Sequence, residues 1–238
     1  MTNAGPLAGR IALVTGASRG IGAATAQALA AAGAHAVLTA RTVRDLEAVE
    51  DAIHEAGGTA TIAPMDLTES DSIARLATAV AERWQRLDIL IINAAMLPPL
   101  TPVAQIEPKS FNQALTLNVL ATQALIAAFD PLLKRSDAGR IIGLTSSVGA
   151  EPRAYWGAYG ASKAAFEALL ICHGQEIGRI SDTRVAIVDP GATRTQMRAR
   201  AYPGEDPLSV KSPGTVAKRI VEMLAEDCPN LHRERVGA

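Results

Sequence analysis

Short apolar runs alternate with stretches of helical period along almost the whole chain. The runs fall at 11–15, 36–39, 61–65, 89–92, 141–145 and 185–188. Each is apolar on both faces, the pattern of parallel strands covered by helices on two sides. Between them, Ile21, Thr25, Ala28, Leu29 and Ala32 form one helical stripe, closed by Gly33. Leu46, Val49 and Ile53 form a second, ended by Gly57 and Gly58. Ile73, Leu76, Ala77, Val80 and Trp84 form a third, with Thr68 and Asp71 arranged like a capping box before it. Phe111, Leu115, Val119, Thr122 and Ile126 mark a long fourth helix, 159–177 a fifth, and 215–225 a last one opened by Ser212-Pro213. Six rounds of strand and helix predict an α/β fold: a doubly wound, Rossmann-like parallel sheet with helices on both faces, in a single domain over 1–238. The segment 192–211, with Pro203, Gly204, Glu205, Asp206 and Pro207, breaks the rhythm and is read as a substrate lid.

Composition narrows the function. The chain has 238 residues, 48% hydrophobic and 20% charged, enough for a sizeable core. A net charge of −1 argues against nucleic acid or an anionic membrane as the main partner. No apolar run approaches the ~20 residues of a membrane span, and MTNAGPLAGR lacks the layout of a secretory signal. Cys172 and Cys228 form neither a metal motif nor a disulfide framework, so no metal is expected. A cytoplasmic location is the default.

Nearly every strand run ends in a polar residue: Thr15, Arg41, Asp66, Asn93, Ser146 and Asp189. Open parallel sheets bind ligands at that end. The first strand leads into Thr15-Gly16-Ala17-Ser18-Arg19-Gly20-Ile21-Gly22, which opens the first helix. Glycines there let the backbone approach a pyrophosphate, and the helix N-terminus stabilises its charge. After the second strand, where a carboxylate would accept a ribose 2′-hydroxyl, stands Ala40, followed by Arg41. Arg41 and Arg19 can converge on a 2′-phosphate, which favours NADP(H) over NAD(H). Two solvated surface arginines are the plainer alternative.

Tyr159 and Lys163 stand one turn apart on one helix face. A free phenol, with a pKa of ~10, is a poor acid-base group at neutral pH, and a nearby ammonium lowers it. Ser146, chosen over Ser147 by its spacing from Tyr159 and by strand alternation, offers a hydroxyl for a carbonyl oxygen. Asn118 is an amide within an apolar stripe, so it must bond to backbone, water or ligand, and a purely structural core role stays open.

Together these motifs resemble the short-chain dehydrogenase/reductase family over about residues 8–225. The 15–22 segment resembles its T-G-x-x-x-G-I-G turn. Asn118, Ser146, Tyr159 and Lys163 match its catalytic tetrad, and Pro190-Gly191-Ala192-Thr193 resembles its P-G-x-x-T turn. The resemblance implies hydride transfer between a nicotinamide and a carbonyl or secondary alcohol, with Tyr159 as acid/base. Lys163 would hold the nicotinamide ribose and depress the tyrosine pKa, and Asn118 would support a water path to it. The cofactor contacts implied are Gly16, Ser18, Arg19, Gly20, Ile21, Gly22, Arg41, Asp66, Leu67, Asn93, Ala94, Tyr159, Lys163, Pro190, Gly191 and Thr193. The chain departs from the family at Ile92-Asn93-Ala94-Ala95, where N-N-A-G is usual. It also lacks an apolar seventh strand, for which the charged stretch 230–236 is a poor substitute.

Met96, Leu97, Pro98, Leu100, Val148, Tyr155, Trp156, Met197 and Tyr202 are candidate pocket walls or core, and suit many ketones and alcohols. Arg194, Arg198 and Arg200 either meet an anionic substrate group or form a solvated face. A non-catalytic NADP(H)-binding regulator and an idle structural subunit are the rival classes. Leu117, Leu120, Ala121, Ala124 and Leu125, with Phe166, Leu169, Leu170 and His173, widen the apolar faces of helices four and five. They predict a homodimer, with a homotetramer less supported by the charged C-terminus.

Overall fold

The computed structural model describes residues 5–69, 71–226 and 228–237, so the first four residues of the N-terminal reading lie outside the described part. The strands are β1 (Ile11–Thr15), β2 (His35–Thr39), β3 (Thr59–Ile62), β4 (Ile89–Ile92), β5 (Arg140–Leu144), β6 (Arg184–Asp189) and β7 (His232–Arg235). They form one parallel sheet in the order β3-β2-β1-β4-β5-β6-β7. The helices are α1 (Gly20–Ala31), α2 (Val43–Glu55), α3 (Ser72–Trp84), α4 (Pro108–Leu115), α5 (Ala121–Leu133), α6 (Ser147–Ala150), α7 (Gly157–Ile177), α8 (Gln196–Ala201) and α9 (Pro213–Ala225).

Alternation along each strand divides the core in two. Ala12, Val14, Ile89 and Ile91 pack under α1, α2 and α9 with Leu29, Leu46, Ile53 and Ile220. Ile11, Leu13, Leu90 and Ile92 face α3, α5 and α7, where Val80, Leu125, Phe129, Phe166 and Leu170 fill the other layer. This is the doubly wound Rossmann-like sheet that the pattern predicts. Leu125, Phe166, Leu170 and His173 are buried within the chain, so they do not make a second outward face. Leu120 and Ile171 remain exposed on those helices.

Four features depart from the sequence reading. The stretch 230–236 does contain a seventh strand: β7 pairs with β6 and is held by ions rather than apolar burial. Arg219 on α9 grips Glu234 from one face at 2.7 Å, and Arg233 and Arg235 reach Glu167 and Asp189 from the other. The long fourth helix is α4 and α5 joined by a π-helical turn at Thr116–Leu120. That continuous stretch, Pro108–Leu133, is long and apolar enough to cross a membrane by length and composition, yet it packs into the second core layer through Leu125, Phe129 and Leu132. Thr68 caps nothing; its hydroxyl donates to Asp66 at 2.7 Å, and Asp71 takes the N-cap place at φ 61°.

At the amino end of the sheet, Asp88 is fully buried. It accepts from the Ile11 amide at 2.8 Å and the Ser136 hydroxyl at 2.6 Å, with Arg86 and Arg10 each at 3.2 Å. Burial by itself would raise its pKa, but these donors outweigh it and hold the carboxyl below the ordinary value. A carboxyl depressed in the folded state adds stability above its unfolded pKa, and that stability is lost as the pH falls through the folded value. Asp88→Asn is therefore expected to cost about 2–3 kcal/mol at pH 7, measured by urea unfolding. The gap should narrow below about pH 4, where the wild-type carboxyl is neutralised too; an equal gap at pH 7 and pH 3 would contradict this.

Candidate active site

Strand order reverses between β1 and β4, which opens a crevice at their carboxyl ends. Thr15 closes its floor. Its buried hydroxyl donates to the Ile91 carbonyl at 3.1 Å and accepts from the Asn93 and Ala94 amides at 2.9 and 3.1 Å. The Asn93 side-chain amide donates back to the carbonyls of Thr15 (2.9 Å) and Gly16 (3.3 Å). The glycine turn is thus fastened from beneath. Gly16 has φ +67°, and a Cβ there would lie 2.9 Å from Asn93 Nδ2. A Cβ on Gly22 would stand 2.2 Å from the Gly16 carbonyl oxygen, so only glycine lets helix and turn meet. Arg19 is the N-cap of α1 but its side chain makes no capping bond, and the first turn holds no acidic residue. The open amides and the missing carboxylate suit a phosphate group.

Around this cradle, the Arg19 guanidinium donates to Gln196 Oε1 at 2.8 Å, while Arg41 is exposed and stands 4.0 Å from Asp66. Burial would raise the Asp66 pKa, but the Thr68 amide and hydroxyl, with Arg41, hold it below its ordinary value. Leu67 is buried and Ile21 packs against the first core layer. The Ser18 side chain makes no hydrogen bond among the described residues.

The other end of the crevice is built by β5, β6 and α7. Asn118 sits in the π turn, 1% exposed. Its oxygen accepts from the Met96 amide at 2.9 Å, and its nitrogen donates to the Met96 carbonyl (3.0 Å) and Ser162 Oγ (2.9 Å). Ser162 in turn donates to the Tyr159 carbonyl at 2.8 Å. The amide therefore bonds to backbone and to a neighbouring serine, locking the loop after β4 to the helix that carries Tyr159. Ser162 lies inside the Tyr159–Lys163 motif, and that position was its only signal in the sequence.

Tyr159 is buried, with its hydroxyl 3.9 Å from Met197 Sδ on α8. Lys163 is 2% exposed; its ammonium donates to the Leu144 carbonyl at 2.8 Å and lies 4.3 Å from the centre of the Phe166 ring. Burial pushes its pKa down to about 8, against the pull of the Glu167 carboxylate. Burial raises the Tyr159 phenol above its ordinary value, and the negative charge of Asp189 acts in the same direction. In the protein by itself, then, desolvation outweighs the lowering that an adjacent ammonium was expected to give. Ser146 is the N-cap of α6 and its hydroxyl has no partner among the described residues, whereas Ser147 Oγ accepts from Arg153 at 3.2 Å. Thr193 Oγ1 donates to the Pro190 and Gly191 carbonyls at 3.0 and 3.3 Å, and Asp189 accepts from the Gly191 amide at 2.9 Å.

The 192–211 segment is more ordered than its composition suggests. It contains α8, capped by Thr195, a 3-10 turn at Pro207–Ser209, and a bridge between Thr193 and Lys211. Trp156 stands 6.0 Å from the Tyr159 ring and 5.9 Å from that of Tyr202. Arg198 stacks 3.6 Å over Tyr202 and is held by Glu205 at 2.7 Å, so it is engaged within the segment, while Arg194 and Arg200 are exposed. Met197 and Trp156 therefore border the tyrosine, with Tyr202 against Trp156, and Pro98 and Val148 are buried.

A model of the short chain dehydrogenase family matches residues 10–206. The chain belongs to the short-chain dehydrogenase/reductase family. YciK of Escherichia coli K12, described as an uncharacterized oxidoreductase, is 37% identical over 221 residues, covering 92% of this chain and 87% of YciK. A Shigella flexneri chain solved in complex with NADP superimposes with a TM-score of 0.93 at 35% identity, over 98% of this chain and 99% of that one. The L-fucose dehydrogenase of Oryctolagus cuniculus is 30% identical over 224 residues, covering 94% of this chain and 77% of the rabbit enzyme.

Proposed function

We propose that this oxidoreductase uses NADP(H) in preference to NAD(H) and interconverts a small-molecule carbonyl compound and its secondary alcohol. The observation that carries the reading is the buried pair Tyr159 and Lys163, one helical turn apart at the carboxyl ends of β5 and β6 and in the same crevice as the uncapped N-terminus of α1. The pyrophosphate would lie on the 16–22 turn, with Gly16, Ser18, Gly20, Ile21 and Gly22 around it. Arg19 and Arg41 would take the 2′-phosphate, Asp66 and Leu67 the adenine, and Asn93 and Ala94 its ribose. Tyr159 and Lys163 would hold the nicotinamide ribose, and Pro190, Gly191 and Thr193 the carboxamide. When bound, the cofactor supplies or accepts the hydride.

The chain's own residues move the proton. With its pKa raised, the Tyr159 phenol keeps its proton through neutral pH, the state needed to protonate a carbonyl oxygen. The free hydroxyl of Ser146 is available to hold that oxygen, which favours Ser146 over Ser147. Lys163, with its ammonium fixed on Leu144, stabilises negative charge developing on the phenol. Asn118 acts by fixing the Met96 loop and, through Ser162, the backbone of Tyr159. The 192–211 segment serves as the substrate lid, with Met197 against the phenol. Exposed Leu120 and Ile171 support a homodimer, and a cytoplasmic location fits this chemistry.

Tyr159→Phe should lower turnover of NADPH with a panel of ketones, diketones and acyl thioesters at least a hundredfold. Its NADPH affinity, read by fluorescence, should change less than threefold. Full turnover in this variant would overturn the mechanism, and NADPH binding by the wild type without turnover on any carbonyl would favour the regulatory reading.

Arg41→Ala should weaken NADPH binding about ten- to a hundredfold, for a lost charged hydrogen bond of about 1.5–3 kcal/mol, and leave NADH binding within twofold. An equal loss for both cofactors, by fluorescence titration, would contradict the assignment of Arg41 to the 2′-phosphate.

A further inference from the structure

Glu167 is a buried carboxylate that the mechanism above does not use. It follows Lys163 by one turn on α7, so Tyr159, Lys163 and Glu167 share a helix face at four-residue spacing. Its side chain is only 9% exposed. The Thr145 hydroxyl donates to Oε1 at 2.6 Å, and Thr145 directly follows Leu144, whose carbonyl holds the lysine ammonium. Arg233 of β7 completes the clamp with a two-nitrogen contact, Nη2 to Oε1 at 3.1 Å and Nη1 to Oε2. The dipeptide Leu144-Thr145, at the carboxyl end of β5, thus fixes both charges, through its carbonyl and its hydroxyl.

We propose that Glu167, clamped by Thr145 and Arg233, is a positioning residue that keeps the Lys163 ammonium charged inside the protein. The edge strand β7 thereby sets the proton chemistry of the crevice. A buried carboxylate must be paired and hydrogen-bonded to stay charged; Arg233 and Thr145 meet that need, and the charge so held lies one helical turn from the Lys163 ammonium, which is fixed by the neighbouring residue Leu144. The pKa directions agree: burial lowers Lys163 and the Glu167 charge raises it. The other charged and titratable groups near the pair are Tyr159 on α7, Asp189 on β6 and Arg235 on β7, with Lys211 beside Asp189. Arg235 stands 3.6 Å from Asp189, so β7 offers a guanidinium to each of the two carboxylates that act on the tyrosine–lysine pair.

The catalytic meaning of this proposal rests on the function proposed above, but its electrostatic core does not. It is therefore tested first without cofactor, by 13Cε NMR of lysine-labelled protein, with the Lys163 resonance assigned by its absence in Lys163→Arg. Glu167→Gln should move the Lys163 titration down by a unit or more, a tenfold change in proton affinity. Glu167→Asp should restore most of it. If Glu167→Gln does not fold, Thr145→Val, which removes one clamp contact without changing any charge, should lower the Lys163 titration by a few tenths of a unit. Where the wild type turns over a carbonyl, the alkaline limb of kcat/KM in Glu167→Gln should move to lower pH by the same amount. A Lys163 titration unmoved in Glu167→Gln, whatever its melting temperature, overturns the proposal, as does one unmoved or raised in Thr145→Val. Absence of turnover in the wild type would instead count against the proposed function and leave the NMR result standing.

Discussion

The hydroxyl of Thr15 is the point on which the functional edge depends. Parallel strands are held along their length by backbone pairing, but at the switch between β1 and β4 the chains part in opposite directions and leave amides and carbonyls without ladder partners. One hydroxyl, donating once and accepting twice, closes that gap. Asn93 then returns the contact by holding the carbonyls of Thr15 and Gly16. Only after the two strand ends are fastened can the glycine turn be presented in a fixed conformation, and that turn sets where the N-terminus of α1 points. Rigidity at the phosphate end therefore derives from two polar side chains, where the sheet below relies on apolar packing.

The opposite end of the crevice is governed by buried charge. Lys163, Glu167 and Asp189 are all nearly removed from water, and each is held by a specific partner: the Leu144 carbonyl, the Thr145–Arg233 clamp, and the Gly191 amide with Arg235. Low exposure makes each of these charges felt by its neighbours more strongly than on a surface. The phenol and ammonium are consequently tuned by groups on three different strands. An edge strand with four polar residues, which contributes little to the core, gains a role as the source of the compensating cations.

The alternation of apolar runs made the central strands legible, because β1, β4, β5 and β6 are buried on both faces and their runs are too short for helices. β7 was not legible for the same reason in reverse. His232, Arg233, Glu234 and Arg235 carry no apolar signal, and their partners Arg219, Glu167 and Asp189 are brought to them only by the fold. The π turn at Asn118 has no compositional signature, although the misplaced amide marked its position. Thr68 looked like a cap because a hydroxyl can bond either forward to a helix or back to a neighbouring carboxylate, and Asp66 took it. Tyr159, Lys163 and the glycine turn were legible because their spacing alone brings them together on one helix face or one turn. Glu167 and Ser162 sat beside those motifs, yet their roles depend on residues far away in the chain.

The function proposed for this crevice is hydride transfer between a nicotinamide and a carbon–oxygen centre. The most direct measurement is mass spectrometry of the alcohol formed when the protein is given NADPH deuterated at one face of the nicotinamide C4 position, with carbonyl compounds present. Deuterium is expected at the carbinol carbon from one C4 epimer and none from the other. Tight binding of NADPH with no deuterium in any product from either epimer would contradict it.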